Sequence, residues 1–191
     1  VAREFALHIR STKRDTGYLN NVIRTSETIA ACVGMLVFLT IGFFSSIIVT
    51  QWLVVKSLSH EVVIQSLWIM GCQVGIQFLA LVYNGSLVGA GKQVLQNTIM
   101  SIGALLRGLA TVVMILLIPD VRIFLLSQLV FFVVTIVVLR MAAYQILPTT
   151  RGKLSYDVIK SMLPFASQII LNSLVLTVAA QLDRIIVSKT L

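Results

Sequence analysis

The sequence predicts an all-α integral membrane protein, a polytopic helix bundle with about five transmembrane helices. Three observations carry that fold class. Of 191 residues, 58% are hydrophobic and only 12% are charged, whereas a soluble domain carries roughly a quarter of its residues as Asp, Glu, Lys or Arg. The charges divide the chain into apolar runs, each long enough for the roughly 20 residues that a bilayer core requires. Lys and Arg then gather on alternate connections, as they do around membrane spans.

The first span is expected within residues 28–55 and the second from residue 62 to about residue 91. A third, residues 97–118, is ended by Pro119, which cannot continue a helix. The fourth runs from residue 123 to 139 and on past Arg140, and the fifth starts near Pro164, a good first helical residue, and continues through Leu182. The resulting divisions are a basic segment with an interfacial helix (1–27), four spans (28–147), a linker with an amphipathic helix (148–163) and a last span (164–191). The chain begins without Met on a charged stretch and stops just after an apolar run, so we expect an internal fragment of a longer protein. A missing secretory signal therefore carries no weight.

Orientation follows from the basic residues. Arg3, Arg10, Lys13, Arg14, Arg24, Lys92, Arg140, Arg151, Lys153 and Lys160 fall on one side of the expected spans, against Lys56, Arg122, Arg184 and Lys189 on the other. The positive-inside rule makes the first side cytoplasmic. The net charge of +8 thus serves topology; the basic residues flank apolar runs and lack the aromatic interleaving of a nucleic-acid surface. Two amphipathic stretches precede the first and fifth spans: Leu19, Val22 and Ile23 in one, and Leu154, Val158, Ile159, Met162 and Leu163 in the other, opposite Asp157 and Lys160. Each is expected to lie in the headgroup layer.

Motif by motif, little points to catalysis. Residues 85–92 read GSLVGAGK, a partial match to a phosphate-binding loop, but Ser86 stands where a Gly is required and Gln93 replaces the magnesium-binding Ser or Thr. A helix end is the expected structure there. Asn84-Gly85-Ser86 fits a glycosylation sequon, yet the topology puts it at the inner surface. Gly71 with Gly75, and Gly85 with Gly89, are small-xxx-small pairs that let a neighbouring helix come close. Cys32 and Cys72 fall inside apolar runs and read as packing residues. No paired carboxylates, metal-ligand cluster or nucleophile with a base stands out, so neither an enzyme nor a cofactor is expected.

Polar groups inside spans mean more, because lipid offers them no partner. Gln73, Gln77 and Asn84 share one face of the second span; Asn97, Ser101, Ala104, Gly108 and Thr111 form a small and polar stripe on the third; Gln168 and Asn172 pair on the fifth, before Gln181 and Asp183. Such faces either join helices through hydrogen bonds or line a water-filled cavity. Arg107 is the most informative residue, since a central Arg costs about 2.5–3.5 kcal/mol on insertion scales. The eleven Leu, Ile and Val residues of its run offset that cost, at about 0.3–0.6 kcal/mol each. With no acidic residue near the centre of any span, the expectation is either an anion in a cavity or a charge pair with Asp183 or with a helix outside the fragment.

One stretch carries a family likeness. Pro164-Phe165-Ala166, Asn172 and the run Gln181-Leu182-Asp183-Arg184-Ile185-Ile186-Val187 resemble the start of the second half of bacterial O-antigen flippases, in the multidrug, oligosaccharidyl-lipid and polysaccharide exporter superfamily. The Tyr83 to Lys92 stretch, ending in Gly89-Ala90-Gly91-Lys92, and the basic segment before the first span are similar to the same family. The resemblance implies a transporter of about a dozen helices in two bundles, of which this chain covers roughly the third to seventh. It implies a multi-pass protein of the bacterial inner membrane that flips undecaprenyl-diphosphate-linked oligosaccharide by alternating access, for O-antigen, capsule or exopolysaccharide synthesis. Membrane lipids, a polysaccharide polymerase and a chain-length regulator are the partners it implies. Under that reading Arg107 and Arg184 meet the diphosphate or acidic sugars, Gln73, Gln77 and Asn172 bind sugar hydroxyls, and Asp183 either pairs with Arg184 or takes part in ion coupling. A drug or peptidoglycan-precursor exporter of the same superfamily, and a non-transporting scaffold of a polysaccharide assembly complex, are the alternatives.

Overall fold

The computed structural model describes residues 1–9, 16–52, 59–146 and 152–160. Every regular element among them is helical: α1 (Ala2–Ile9), α2 (Thr16–Ile47), which runs on into a π-helical turn (Ile48–Trp52), α3 (His60–Gly89), α4 (Gln93–Leu117) and α5 (Val121–Gln145). Four of them are long and apolar enough to cross a membrane. The fifth expected span, with Asn172, Asp183 and Arg184, lies outside the described residues.

The chain divides into two compact units, Val1–Lys153 and Leu154–Leu191. Of the second, only residues 154–160 are described, helical over 156–160. In the first, α2 to α5 run alternately up and down, and α3 is held between α2 and α5 while α4 packs chiefly on α5. The helices start where the sequence offers caps. The Ser59 hydroxyl accepts from the Val62 N–H at the start of α3, and the Asp120 carboxylate accepts from the Arg122 N–H at the start of α5.

The Gly-rich stretch forms the end of α3. Gly91, at φ 72°, takes the left-handed conformation, the Gly91 N–H donates to Val88 O at 3.0 Å and the Lys92 N–H to Leu87 O at 2.9 Å. This is a Schellman cap, whose amides are spent on the helix's own carbonyls. Ser86 is fully buried, and its hydroxyl donates to Val82 O.

One boundary differs from the sequence expectation. The stretch with Leu19, Val22 and Ile23 is the opening of α2 itself, because no proline interrupts residues 16–47 and nothing else there stops a helix. All three side chains are fully buried, as is Phe5 of α1.

Close helix approach is set by glycine. A Cβ on Gly75 would lie 2.6 Å from Gly34 O, and one on Gly71 3.1 Å from Ile41 Cγ2, so α2 and α3 cross nearly backbone to backbone. A Cβ on Gly89 would meet Phe5 Cβ at 2.6 Å, which places that pair's contact with α1. Below the crossing, Phe38 and Trp68 stack edge to face at 5.2 Å. On the other flank of α3, Ala80, Tyr83 and Leu87 pack against Ile136, Leu139, Ala142 and Ala143 of α5. By contrast α4 has no buried residue, and its outward Leu, Ile and Val side chains present the apolar surface that lipid covers.

Candidate functional site

A buried carboxylate sits near the end of the bundle where α2 begins and α3 and α5 finish. Thr28 opens the apolar part of α2, while Tyr83 and Leu139 each lie six residues before the end of α3 and of α5. Glu27, one residue before the apolar run and 7% exposed, reaches into the seam between the three. Its Oε1 accepts from Tyr83 Oη at 2.7 Å and pairs with Arg140 Nε at 3.3 Å. Its Oε2 accepts from Tyr144 Oη at 2.9 Å and meets Arg24 Nη1 at 3.4 Å. Each carboxylate oxygen thus holds one phenol and one guanidinium. Charge pairing and full hydrogen bonding are what allow a carboxylate to stay ionised away from water. Arg140 also lies over the Tyr144 ring at 5.5 Å, a cation–π contact that fixes its guanidinium beside Glu27.

The opposite end of the bundle is built differently. Asp120 accepts from the Arg122 N–H at 2.8 Å and pairs with Arg122 Nη2 at 2.7 Å, while Arg122 Nη1 donates to Gln65 Oε1 of α3 at 3.0 Å. The Arg122 side chain and its N–H hold the Asp120 carboxyl below its ordinary value. The Asp120 side chain is 28% exposed against 8% for Glu27, while the arginines of both clusters are about half exposed.

Between these ends lies Arg107. It occupies the face of α4 turned toward α5, half-buried, with its guanidinium 6.0 Å from the Phe132 ring centroid. Among the described residues no carboxylate stands within ion-pair distance of it. On the same face Gln96 donates to Asn84 Oδ1 of α3 at 3.2 Å, Gly103 lies against Thr135 of α5, and Thr111 accepts from Gln128 of α5 at 2.9 Å. These contacts join helices.

The other residues singled out in the sequence separate into two groups. Gln73 is half-buried and Gln77 exposed on α3, and Asn97, Ser101, Ala104 and Gly108 form an exposed strip of α4. A Cβ on Gly108 would find open space. Arg107 is therefore one step around the helix from that strip, and Gln73 and Gln77 are not brought to it by any contact among the described residues. Asn172, Asp183 and Arg184 lie outside the described residues.

Sequence reading missed Glu27. The signal was available: Arg24 and Glu27 are three apart, Arg140 and Tyr144 four apart, and all stand where apolar runs meet polar sequence. What the pattern does not encode is that α5 brings Arg140 and Tyr144 within side-chain reach of Glu27, beside Tyr83 of α3.

Among the described residues, four long apolar helices in up-and-down order, with charge confined to their ends save for Arg107, fit an all-helical protein whose helices can cross a membrane. No protein-family model, curated protein or solved structure matches the chain.

Proposed function

We propose that the chain is part of a bacterial inner-membrane transporter that flips undecaprenyl-diphosphate-linked oligosaccharide between leaflets, with Arg107 as a cationic contact for the diphosphate or for acidic sugars. The observation that carries the reading is Arg107 itself. It sits in the middle of a 25-residue apolar helix, and none of the described carboxylates pairs with it. A guanidinium kept at that depth needs an anion or a water-filled path, and its planar donor fork suits phosphate and carboxylate oxygens. The likeness of residues 164–187 and 83–92 to O-antigen flippases supplies the cargo class. Gln73 and Gln77 of α3 are the sugar-hydroxyl candidates within the described residues, and Asn172, Asp183 and Arg184, implied by the same likeness, lie outside them.

The test is complementation of a deletion strain by the full-length gene carrying Arg107→Ala or Arg107→Lys, with membrane protein level measured alongside surface polysaccharide. The expected result is loss of surface polymer for Arg107→Ala at normal protein level, with lipid-linked repeat units accumulating inside, and partial recovery for Arg107→Lys. Full polymer with Arg107→Ala removes this residue from the mechanism. Failure of the unmutated gene to restore polymer overturns the flippase reading.

A further inference from the structure

The Glu27 cluster carries more positive charge than its buried carboxylate neutralises. Two guanidinium groups, Arg24 and Arg140, share one carboxylate, and each of these side chains is 53% exposed. Arg140 uses Nε and Arg24 uses Nη1 to reach Glu27, so each fork retains N–H donors beyond those the carboxylate takes. Lys153 adjoins them: its N–H donates to Asn21 Oδ1 at 2.7 Å, and a Cβ on Gly152 would lie 3.1 Å from Arg24 Cβ. The same end of this unit also holds Arg3 and Lys92, with Glu4 and Glu27 as its carboxylates, whereas the far end sets Arg122 against Glu61 and Asp120. Among the described residues of this unit, the excess positive charge is at one end of the bundle.

Depth selects the ligand. The cluster stands within the last turns of α3 and α5, at the end of the bundle where the described basic residues gather, which is the level expected for lipid headgroups. Basic pockets between spans at that level bind anionic headgroups. Glu27 fixes the two guanidinium groups from the protein side, and Tyr144 supports Arg140 from beneath, so the pair is held in place before a phosphate arrives. We propose that Arg24 and Arg140, held by Glu27 and flanked by Lys153, form a site for the phosphate of an anionic membrane phospholipid at this end of the bundle. The site is separate from Arg107 and does not depend on the flippase reading.

The full-length protein in nanodiscs of equimolar phosphatidylcholine and phosphatidylglycerol, released and weighed intact by native mass spectrometry, reports which lipid stays bound. Wild type should retain phosphatidylglycerol in preference to phosphatidylcholine. Arg24→Gln, which leaves the Arg140–Glu27 pair in place, should cut that retention about fivefold, the weight of one interfacial cation. The combined Glu27→Gln, Arg24→Gln and Arg140→Gln variant strands no buried charge and should show no preference, while Arg122→Gln at the far end should match wild type. Unchanged retention in both Arg24→Gln and the combined variant overturns the proposal. Displacement of the lipid by millimolar inorganic phosphate overturns the lipid source in favour of a small-anion site.

Discussion

Both ends of the bundle contain a carboxylate, an arginine and a polar side chain from α3, yet they are different kinds of structure. At one end Glu27 is buried and its partners come from three helices: Arg24 on α2, Tyr83 on α3, and Arg140 and Tyr144 on α5. At the other, Asp120 is bound mainly by Arg122, two residues along the chain, and Gln65 is a single exposed link to α3. A charge that ties several elements together at a buried position controls how those elements pack. A charge satisfied by its own neighbour in sequence fixes a helix start and little more.

Glu27→Ala should produce the largest effect, a loss of about 2–3 kcal/mol, because several hydrogen bonds to one charged group disappear together while the guanidinium groups, being half exposed, recover water. Thermal unfolding of the purified protein in detergent measures it, and a change no larger than that of Asp120→Ala would erase the contrast between the two ends. Tyr83→Phe follows at about 1 kcal/mol, with Tyr144→Phe smaller because its hydroxyl is less deeply placed. The double Tyr variant should lose less than the sum of the singles, since both phenols serve one carboxylate. Asp120→Ala should shift the transition least of these variants. Its effect should depend on pH: the folded-state carboxyl titrates below its ordinary value of 3.8, so the stabilisation is present above that value and is lost as pH falls through the lower folded-state value. A difference between wild type and Asp120→Ala that persisted in strong acid would contradict this sign.

The four described spans were legible because charge and proline punctuate the chain at Lys92, Pro119 and Arg140, and because apolar runs of bilayer length leave few other choices. The entry to α2 was not. Leu19, Val22 and Ile23 have the same helical spacing whether they rest in headgroups or against α1, and only tertiary packing distinguishes the two. Gly71 and Gly75 were readable as a close-approach face, but their partners, Ile41 and Gly34, depend on the crossing geometry. For the site, Arg107 was evident from one charge in an apolar run. Glu27 was hidden by position: a carboxylate just before a span reads as a boundary, and its partners lie 56 and 117 residues away at Tyr83 and Tyr144. The polar strip of α4 was read as lying beside Arg107; the helix turns Arg107 toward Phe132, joins Thr111 to Gln128 and leaves Asn97, Ser101 and Gly108 outward.

A carboxylate locked among helices and an arginine proposed to meet an anion would divide the labour in this bundle. Arg107→Cys in the full-length protein, in a background with Cys32→Ala and Cys72→Ala, tests it through reaction with a charged maleimide that does not cross membranes. Labelling in inside-out membrane vesicles, which expose the side that holds Lys92, comparable to that of a Lys92→Cys control is the expected result, because an arginine that contacts a translocated anion must stand in a water-filled path. A position 107 cysteine that stays unlabelled while Lys92→Cys reacts would place Arg107 among lipid and packed helices, and would contradict the proposed transport path.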